Sequence, residues 1–280
     1  MNNIKILNIK GINFGEGMPK ICIPILGKTK DEILSNAREV IPSNPDLVEW
    51  RVDYWDELFV TNSKDVRELV PQWRAVLKST LEEMKTILGD KILLFTFRSK
   101  SEGGEKNIDL ALYEELNRAA IESGVVDLID LEGLRLSLKD EKDSSVAKDY
   151  VTEIINFAHE KNVKVIGSKH YFDHTPEQQE MVEALMKLQY MDVDMPKLAV
   201  MPKTHGDVAR LMDATMEMNA RFADRPIITM SMAEEGRVSR FMGEAFGSAV
   251  TFGTVTEASA PGQINAEGLR KLLELVHSEI

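Results

Sequence analysis

One cysteine, Cys22, is all that 280 residues hold. A lone thiol cannot close an internal disulfide, and that usage suits a reducing cytoplasm. No apolar run reaches the roughly 18–20 residues that a membrane helix needs. The start, Met1-Asn2-Asn3-Ile4-Lys5, lacks the basic opening, long apolar stretch and small-residue cleavage site of a signal peptide. Basic residues fall short of acidic ones, 34 against 46, for a net charge of −12. That argues against a general nucleic-acid surface, which needs a basic face. It leaves room for an anionic small substrate, because a few local arginines override the global field. No Pro/Ser-rich linker divides the chain, so residues 1–280 are expected to form one domain.

What is present is an ordinary globular composition, 43% hydrophobic and 29% charged. Its strongest signal is alternation. Short apolar, β-branched runs recur at residues 20–26, 47–53, 91–98, 125–132, 164–170, 196–201, 226–232 and 249–255. Longer stretches with helical spacing lie between them, for example at 31–40, 65–88, 147–160, 176–188, 207–223 and 266–277. Thr29-Lys30-Asp31-Glu32 reads as a capping box, and Thr175-Pro176-Glu177-Gln178 as a helix start with proline at its first position. Thr204 and Asn265 are further N-cap candidates. Most strands are apolar along much of their length, which predicts burial on both faces in a parallel sheet. Eight strand–helix units fit a closed (β/α)8 barrel, with a doubly wound sheet as the alternative. Residues 4–14 read as an added N-terminal β-hairpin, and 135–145 as a charged surface loop.

A barrel's chemistry belongs at the C-terminal ends of its strands. There, Val48-Glu49-Trp50-Arg51-Val52-Asp53 sets three charges on one face of a buried strand, which is costly unless they pair or bind a ligand. The third strand ends in Phe95-Thr96-Phe97-Arg98-Ser99, followed by Glu102-Gly103-Gly104-Glu105. The fourth ends in Asp130-Leu131-Glu132, and the fifth at His170. Arg240 follows the seventh strand; Ser259 and Gln263 follow the eighth.

Lys197 stands out because its neighbours are Pro, Leu, Ala, Val and Met. Desolvation there disfavours an ammonium, and a neutral amine attacks carbonyls to form a Schiff base. The same lysine could instead lay its stem along the strand and reach water. His170 at a strand end can move protons near neutrality, or can be a hydrogen-bonded rim residue. A metal is not expected: His159-Glu160-Lys161-Asn162-Val163 misses the HExxH pattern at its last position. Gly27-Lys28-Thr29 resembles the end of a phosphate-binding loop, but Cys22 stands where the first glycine belongs. Gly103-Gly104 lacks the spacing of a dinucleotide fingerprint.

Together these motifs are more specific than any one of them. Val48–Asp53, Phe95–Ser99 with Glu102-Gly103-Gly104, and Asp194-Met195-Pro196-Lys197-Leu198-Ala199-Val200-Met201-Pro202 form one set. A long tail completes it: Met230, Ser239-Arg240, Gly243-Glu244, Phe246-Gly247-Ser248, Thr251-Phe252-Gly253 and Ala258-Ser259-Ala260-Pro261-Gly262-Gln263-Ile264. In these the sequence resembles the type I 3-dehydroquinate dehydratase family over about residues 20–275. The resemblance implies a (β/α)8 barrel, usually a homodimer, with no metal or organic cofactor. It implies that Lys197 forms an imine with the C3 ketone of 3-dehydroquinate. His170 would move the proton, Glu102 would orient and charge His170, and Arg240 would bind the substrate carboxylate. Glu49, Arg51, Arg98, Ser259 and Gln263 would hold the hydroxyls and carboxylate. Two other readings compete: a different Schiff-base barrel lyase or aldolase, and a non-catalytic binder on the same scaffold. Two departures stand out. Lys169 and Tyr171 flank His170 where the family usually follows the histidine with Asp or Asn. The stretch from Glu132 to Val165 also looks long, with Gly133 where a larger apolar residue is common. A lid is expected at 253–263.

Overall fold

The computed structural model describes residues 4–59, 70–136, 144–255 and 257–280. Strand β1 (Leu7–Ile9) and β2 (Ile12–Phe14) form the expected antiparallel hairpin. Eight parallel strands follow: β3 (Lys20–Ile25), β4 (Leu47–Arg51), β5 (Ile92–Thr96), β6 (Leu128–Leu131), β7 (Lys164–Tyr171), β8 (Met195–Val200), β9 (Ile228–Ser231) and β10 (Val250–Thr254). They pair in the order β10-β3-β4-β5-β6-β7-β8-β9, and β11 (Ile264–Asn265) adds to β10 outside the ring. Closure between β9 and β10 rests on an Ile227–Ser248 bridge, with the Ala249 N–H donating to the Ile227 carbonyl at 2.8 Å. This is a (β/α)8 barrel with a short N-terminal hairpin.

Every residue of β4, β5, β6 and β8 is buried. Helices cover the outer face and other side chains fill the inside, which is why these runs are not simply alternating. Inside the barrel, Leu47, Leu128, Ile166, Met195, Ile228 and Val250 form one apolar cluster with Ile9 and Phe14 of the hairpin. The hairpin therefore plugs the N-terminal end. Above that layer the inward positions turn polar, which leaves the opposite end of the barrel for chemistry.

The helices start where local chemistry supplies a cap. Thr29 accepts from the Glu32 N–H at 3.2 Å, and Thr204 and Asp207 form a reciprocal capping box. Asn265 accepts from the Glu267 N–H at 3.1 Å. Thr175 does not cap. Its hydroxyl donates to the Met201 carbonyl at 3.0 Å, and the helix begins later, as Gln178–Tyr190. A helix over Leu110–Glu122, capped by Asp109, fills a unit for which no helix bounds were named. The helix expected from 65 is described from Val70 to Leu88. Most of the charged loop expected at 135–145 lies outside the described residues. Among those described, no helix is long and apolar enough to cross a membrane.

Candidate active site

One cavity at the C-terminal end of the barrel is lined by all nine residues singled out above: Glu49, Arg51, Arg98, Glu102, His170, Lys197, Arg240, Ser259 and Gln263. They come from six parts of the chain that only closure of the barrel gathers. Gly103, Phe172, Ala199, Met230, Met232, Phe252 and Ala260 complete the wall.

Lys197 projects inward from β8 and is almost fully buried. Its ammonium is not stranded among apolar groups, as its sequence neighbours suggested. Asp130 of β6 reaches across the barrel and accepts from Nζ at 2.9 Å. The ring of Phe252 lies 4.5 Å away on the other side. Asp130 was noted only as a strand-end acid; it sits at the alternate position to Leu128 on an inward face, and that spacing was the available signal. Ser168 donates to its other oxygen at 2.6 Å, and Arg98 pairs with it at 2.8 Å. Burial works to raise the Asp130 pKa, but Arg98, Lys197 and His170 outweigh it and hold the group well below the usual carboxylate range.

His170 sits two residues beyond Ser168, which is in register with Lys197 on the neighbouring strand. Both His170 and Lys197 therefore face the interior, with the histidine nearer the mouth. Its Nδ1 lies 3.0 Å from Glu102 Oε2. Burial, then the nearby Arg98 and Lys197 charges, push the imidazole well below its ordinary pKa, with Asp130 opposing them. A neutral ring whose Nδ1–H donates to Glu102 leaves Nε2 as a free base toward the cavity. Glu102 is buried at the end of a short turn after β5. Burial raises its pKa against the pull of Arg98 and Lys169. Gly103 has φ +86°, and a Cβ there would lie 2.0 Å from the Phe172 ring, which stacks on His170 with centroids 6.2 Å apart. A Cβ on Gly104 would meet the Arg98 carbonyl oxygen at 1.9 Å. The glycine pair thus lets the loop carrying Glu102 press against the base.

The remaining charges fall into two kinds. Arg51 is spoken for: its Nε and Nη2 each donate to Asp53 at 2.8 Å, a bidentate pair that overcomes burial and raises the arginine pKa. Asp53 lies just past the end of β4, in a short turn, so the third charge of that motif braces the site from behind. Glu49 accepts from Thr96 at 2.9 Å. Arg240 is different. It is 1% exposed, yet no carboxylate pairs with it among the described residues. Its Nη2 donates to the Pro261 carbonyl at 2.9 Å, its Nη1 reaches the Phe252 carbonyl at 3.4 Å, and its Nε is unpartnered. Burial, with Arg237 nearby, pushes its pKa down to about 10. It stays charged at neutral pH and faces the cavity as an unneutralised cation. The expected lid is partly strand, since β10 runs to Thr254. Past it, Ser259 and Gln263 bond to each other: Gln263 Oε1 accepts from the Ser259 N–H at 2.9 Å, and Gln263 Nε2 donates to Ser259 Oγ at 3.0 Å. Arg51 Nη1 reaches the Ser259 carbonyl at 3.4 Å, so this segment lies across the cavity.

A parallel (β/α)8 barrel with a buried lysine, a carboxylate-held histidine and an anion-seeking arginine at its C-terminal mouth defines a class of barrel enzyme. Known proteins narrow that class. A family model described as type I 3-dehydroquinase matches residues 21–280. A curated 3-dehydroquinate dehydratase of Clostridioides difficile is 45% identical over 98% of both chains. One of Salmonella typhimurium is 43% identical over 98% of this chain and 99% of its own. Among solved structures, a type I 3-dehydroquinate dehydratase of Clostridium difficile with covalent modified comenic acid superposes at TM-score 0.87. It is 42% identical, over 99% of this chain and 100% of its own. A 3-dehydroquinate dehydratase of Geobacillus kaustophilus superposes at 0.86 with 31% identity over 99% of each. The chain belongs to the type I 3-dehydroquinase family, and it is a lyase.

Proposed function

We propose that this protein converts 3-dehydroquinate to 3-dehydroshikimate and water through a Schiff base on Lys197. The observation that carries the reading is the shared cavity: an inward lysine, a histidine backed by a carboxylate, and Arg240, a buried cation with no protein anion to meet among the described residues. A small polyol bearing one ketone and one carboxylate satisfies all three.

Arg240 takes the carboxylate, where a guanidinium supplies two parallel donors. Arg51, Arg98, Glu49, Ser259 and Gln263 hold the hydroxyls and the carboxylate, and fix the ketone over Nζ. The Lys197 amine, having given up a proton, adds to the C3 carbonyl, and loss of water leaves the imine. The imine acidifies the neighbouring C–H, because the resulting carbanion is delocalised as an enamine. His170 Nε2 removes that proton, becoming imidazolium against Glu102. It then returns a proton to the departing hydroxyl, which leaves as water. Hydrolysis of the conjugated imine frees the product and restores the lysine. Asp130 anchors Nζ throughout. The covalent modified comenic acid of the Clostridium difficile structure accords with a covalent route. The same reading carries a homodimer, no organic cofactor and a place in the shikimate pathway.

Incubation with 3-dehydroquinate followed by borohydride tests it. A stable mass adduct on Lys197, lost in Lys197→Ala, is expected, together with enone absorbance from turnover. Folded protein that turns over the substrate without an adduct would overturn the imine; no turnover and no adduct would overturn the function.

A further inference from the structure

The two oxygens of Glu102 divide their partners, and Oε2 also accepts from the His170 backbone N–H at 3.2 Å. Oε2 faces inward and meets His170 Nδ1 at 3.0 Å. Oε1 faces outward and accepts from Lys169 Nζ at 3.1 Å. Lys169 precedes His170 on β7, so its side chain leaves the opposite face of the strand and takes no part in lining the cavity. It is held in that reach. Its Nζ lies 5.3 Å from the centroid of the Tyr171 ring, and the Tyr171 hydroxyl donates to Glu180 Oε1 at 3.3 Å. The two side chains form one assembly: Tyr171 is a platform and Lys169 the arm it steadies.

We propose that Lys169 is a positioning residue that grips the outer oxygen of Glu102 and sets the pH at which the His170–Glu102 pair takes up its first proton. The proposal rests on the reading of His170 as the base. The charges facing the pair are Arg98 from the end of β5, 3.8 Å from Glu102 Oε2, Asp130 of β6, Lys197 of β8 and Arg51 of β4, besides Lys169 itself. Arg98 is shared with Asp130 and Glu132. Lys169 binds Glu102 without engaging another carboxylate among the contacts of the described residues. Removing a cation makes proton uptake easier at both members of the pair, so the two effects have one sign. The competent form is neutral His170 against ionised Glu102, and the acid limb of the rate profile reports its loss.

The test is the pH profile of kcat and of KM for wild type, Lys169→Met and Lys169→Arg, with borohydride trapping at each pH. The Lys169 side chain is 18% exposed, so solvent tempers the effect. In Lys169→Met the acid limb of kcat moves up by about one pH unit, and KM changes little. Lys169→Arg, which keeps the charge, returns most of the shift. Lys169→Gln serves as a second neutral variant should the methionine fail to fold. A limb that stays in place, moves down, or fails to recover with arginine would overturn the proposal; so would a uniform loss of kcat at all pH. Wild-type turnover and trapping in the same experiment keep the two readings apart. If wild type turns over and traps while the limb is unmoved, only this proposal fails.

Discussion

Replacing Arg240 by methionine removes a buried guanidinium while keeping much of its stem, so the expected cavity is small. The charged form of Arg240 is disfavoured in the fold, its pKa being pushed down from its ordinary value to about 10 by burial and then by Arg237. At about 1.4 kcal/mol per pH unit this is roughly 3 kcal/mol of disfavoured charge at neutral pH. Against it stand two donations to main-chain oxygens, one at 2.9 Å and one long at 3.4 Å. Together those contribute about 1–2 kcal/mol. The difference favours the variant by roughly 1–2 kcal/mol, which for a chain of this size raises Tm by about 2–6 °C. Substrate use goes the other way. Truncating one partner of a buried charge pair costs about 2–5 kcal/mol, a fall of roughly 30- to 5,000-fold in kcat/KM. The assay is thermal unfolding of the ligand-free protein beside steady-state kinetics. A variant that is less stable than wild type would refute the uncompensated-charge argument. One with kcat/KM within about threefold of wild type would refute the anion-binding role.

His170→Ala should still yield the borohydride-stable adduct on Lys197 while losing about 10²–10⁴ in kcat, as intact mass and steady-state rates will show; loss of both together would put the histidine in imine formation instead. Asp194, at the closed end of the barrel, accepts from the Val165 N–H at 2.8 Å, lies 2.8 Å from His159 Nε2, and pairs with Lys164 at 3.2 Å. Burial opposes ionisation there, but the hydrogen bonds from His159 and Val165 win and lower its pKa. A carboxyl whose folded pKa is depressed stabilises above its unfolded value near 4 and loses that contribution as pH falls through the folded value. Asp194→Asn should therefore cost about 1–2 kcal/mol in urea unfolding at neutral pH, with the gap narrowing below about pH 4. A gap independent of pH would count against the ionic role.

Much of this protein was legible in its chain because the governing physics is local. β-Branched apolar runs of strand length, separated by helix-length stretches, point to a parallel sheet under helices, and eight such units fit a barrel, although closure rather than a doubly wound sheet is decided by the β9–β10 contact. Alternation along a strand is enough to assign Glu49 and Arg51 to one face. The helix caps at Thr29, Thr204 and Asn265 were readable for the same reason, since each is a bond between residues two or three apart. Thr175 misled because its hydroxyl is drawn away to the Met201 carbonyl, 26 residues on.

What the chain could not declare was pairing across the barrel. Its sequence neighbours make Lys197 look like a lysine in apolar surroundings, but Asp130, 67 residues away, turns it into half of a buried ion pair. For Arg51 the chain left pairing and ligand binding both open, and the turn after β4 folds Asp53 back onto it. Arg240 could be placed only as a residue following the seventh strand, and the tertiary structure leaves it buried with no anion of its own among the described residues. The spacing of residue types along the chain decided which side chains face the barrel's interior. Which of those charges are neutralised, and which remain to hold a substrate, depends on distances between strands, and only closure of the barrel sets them.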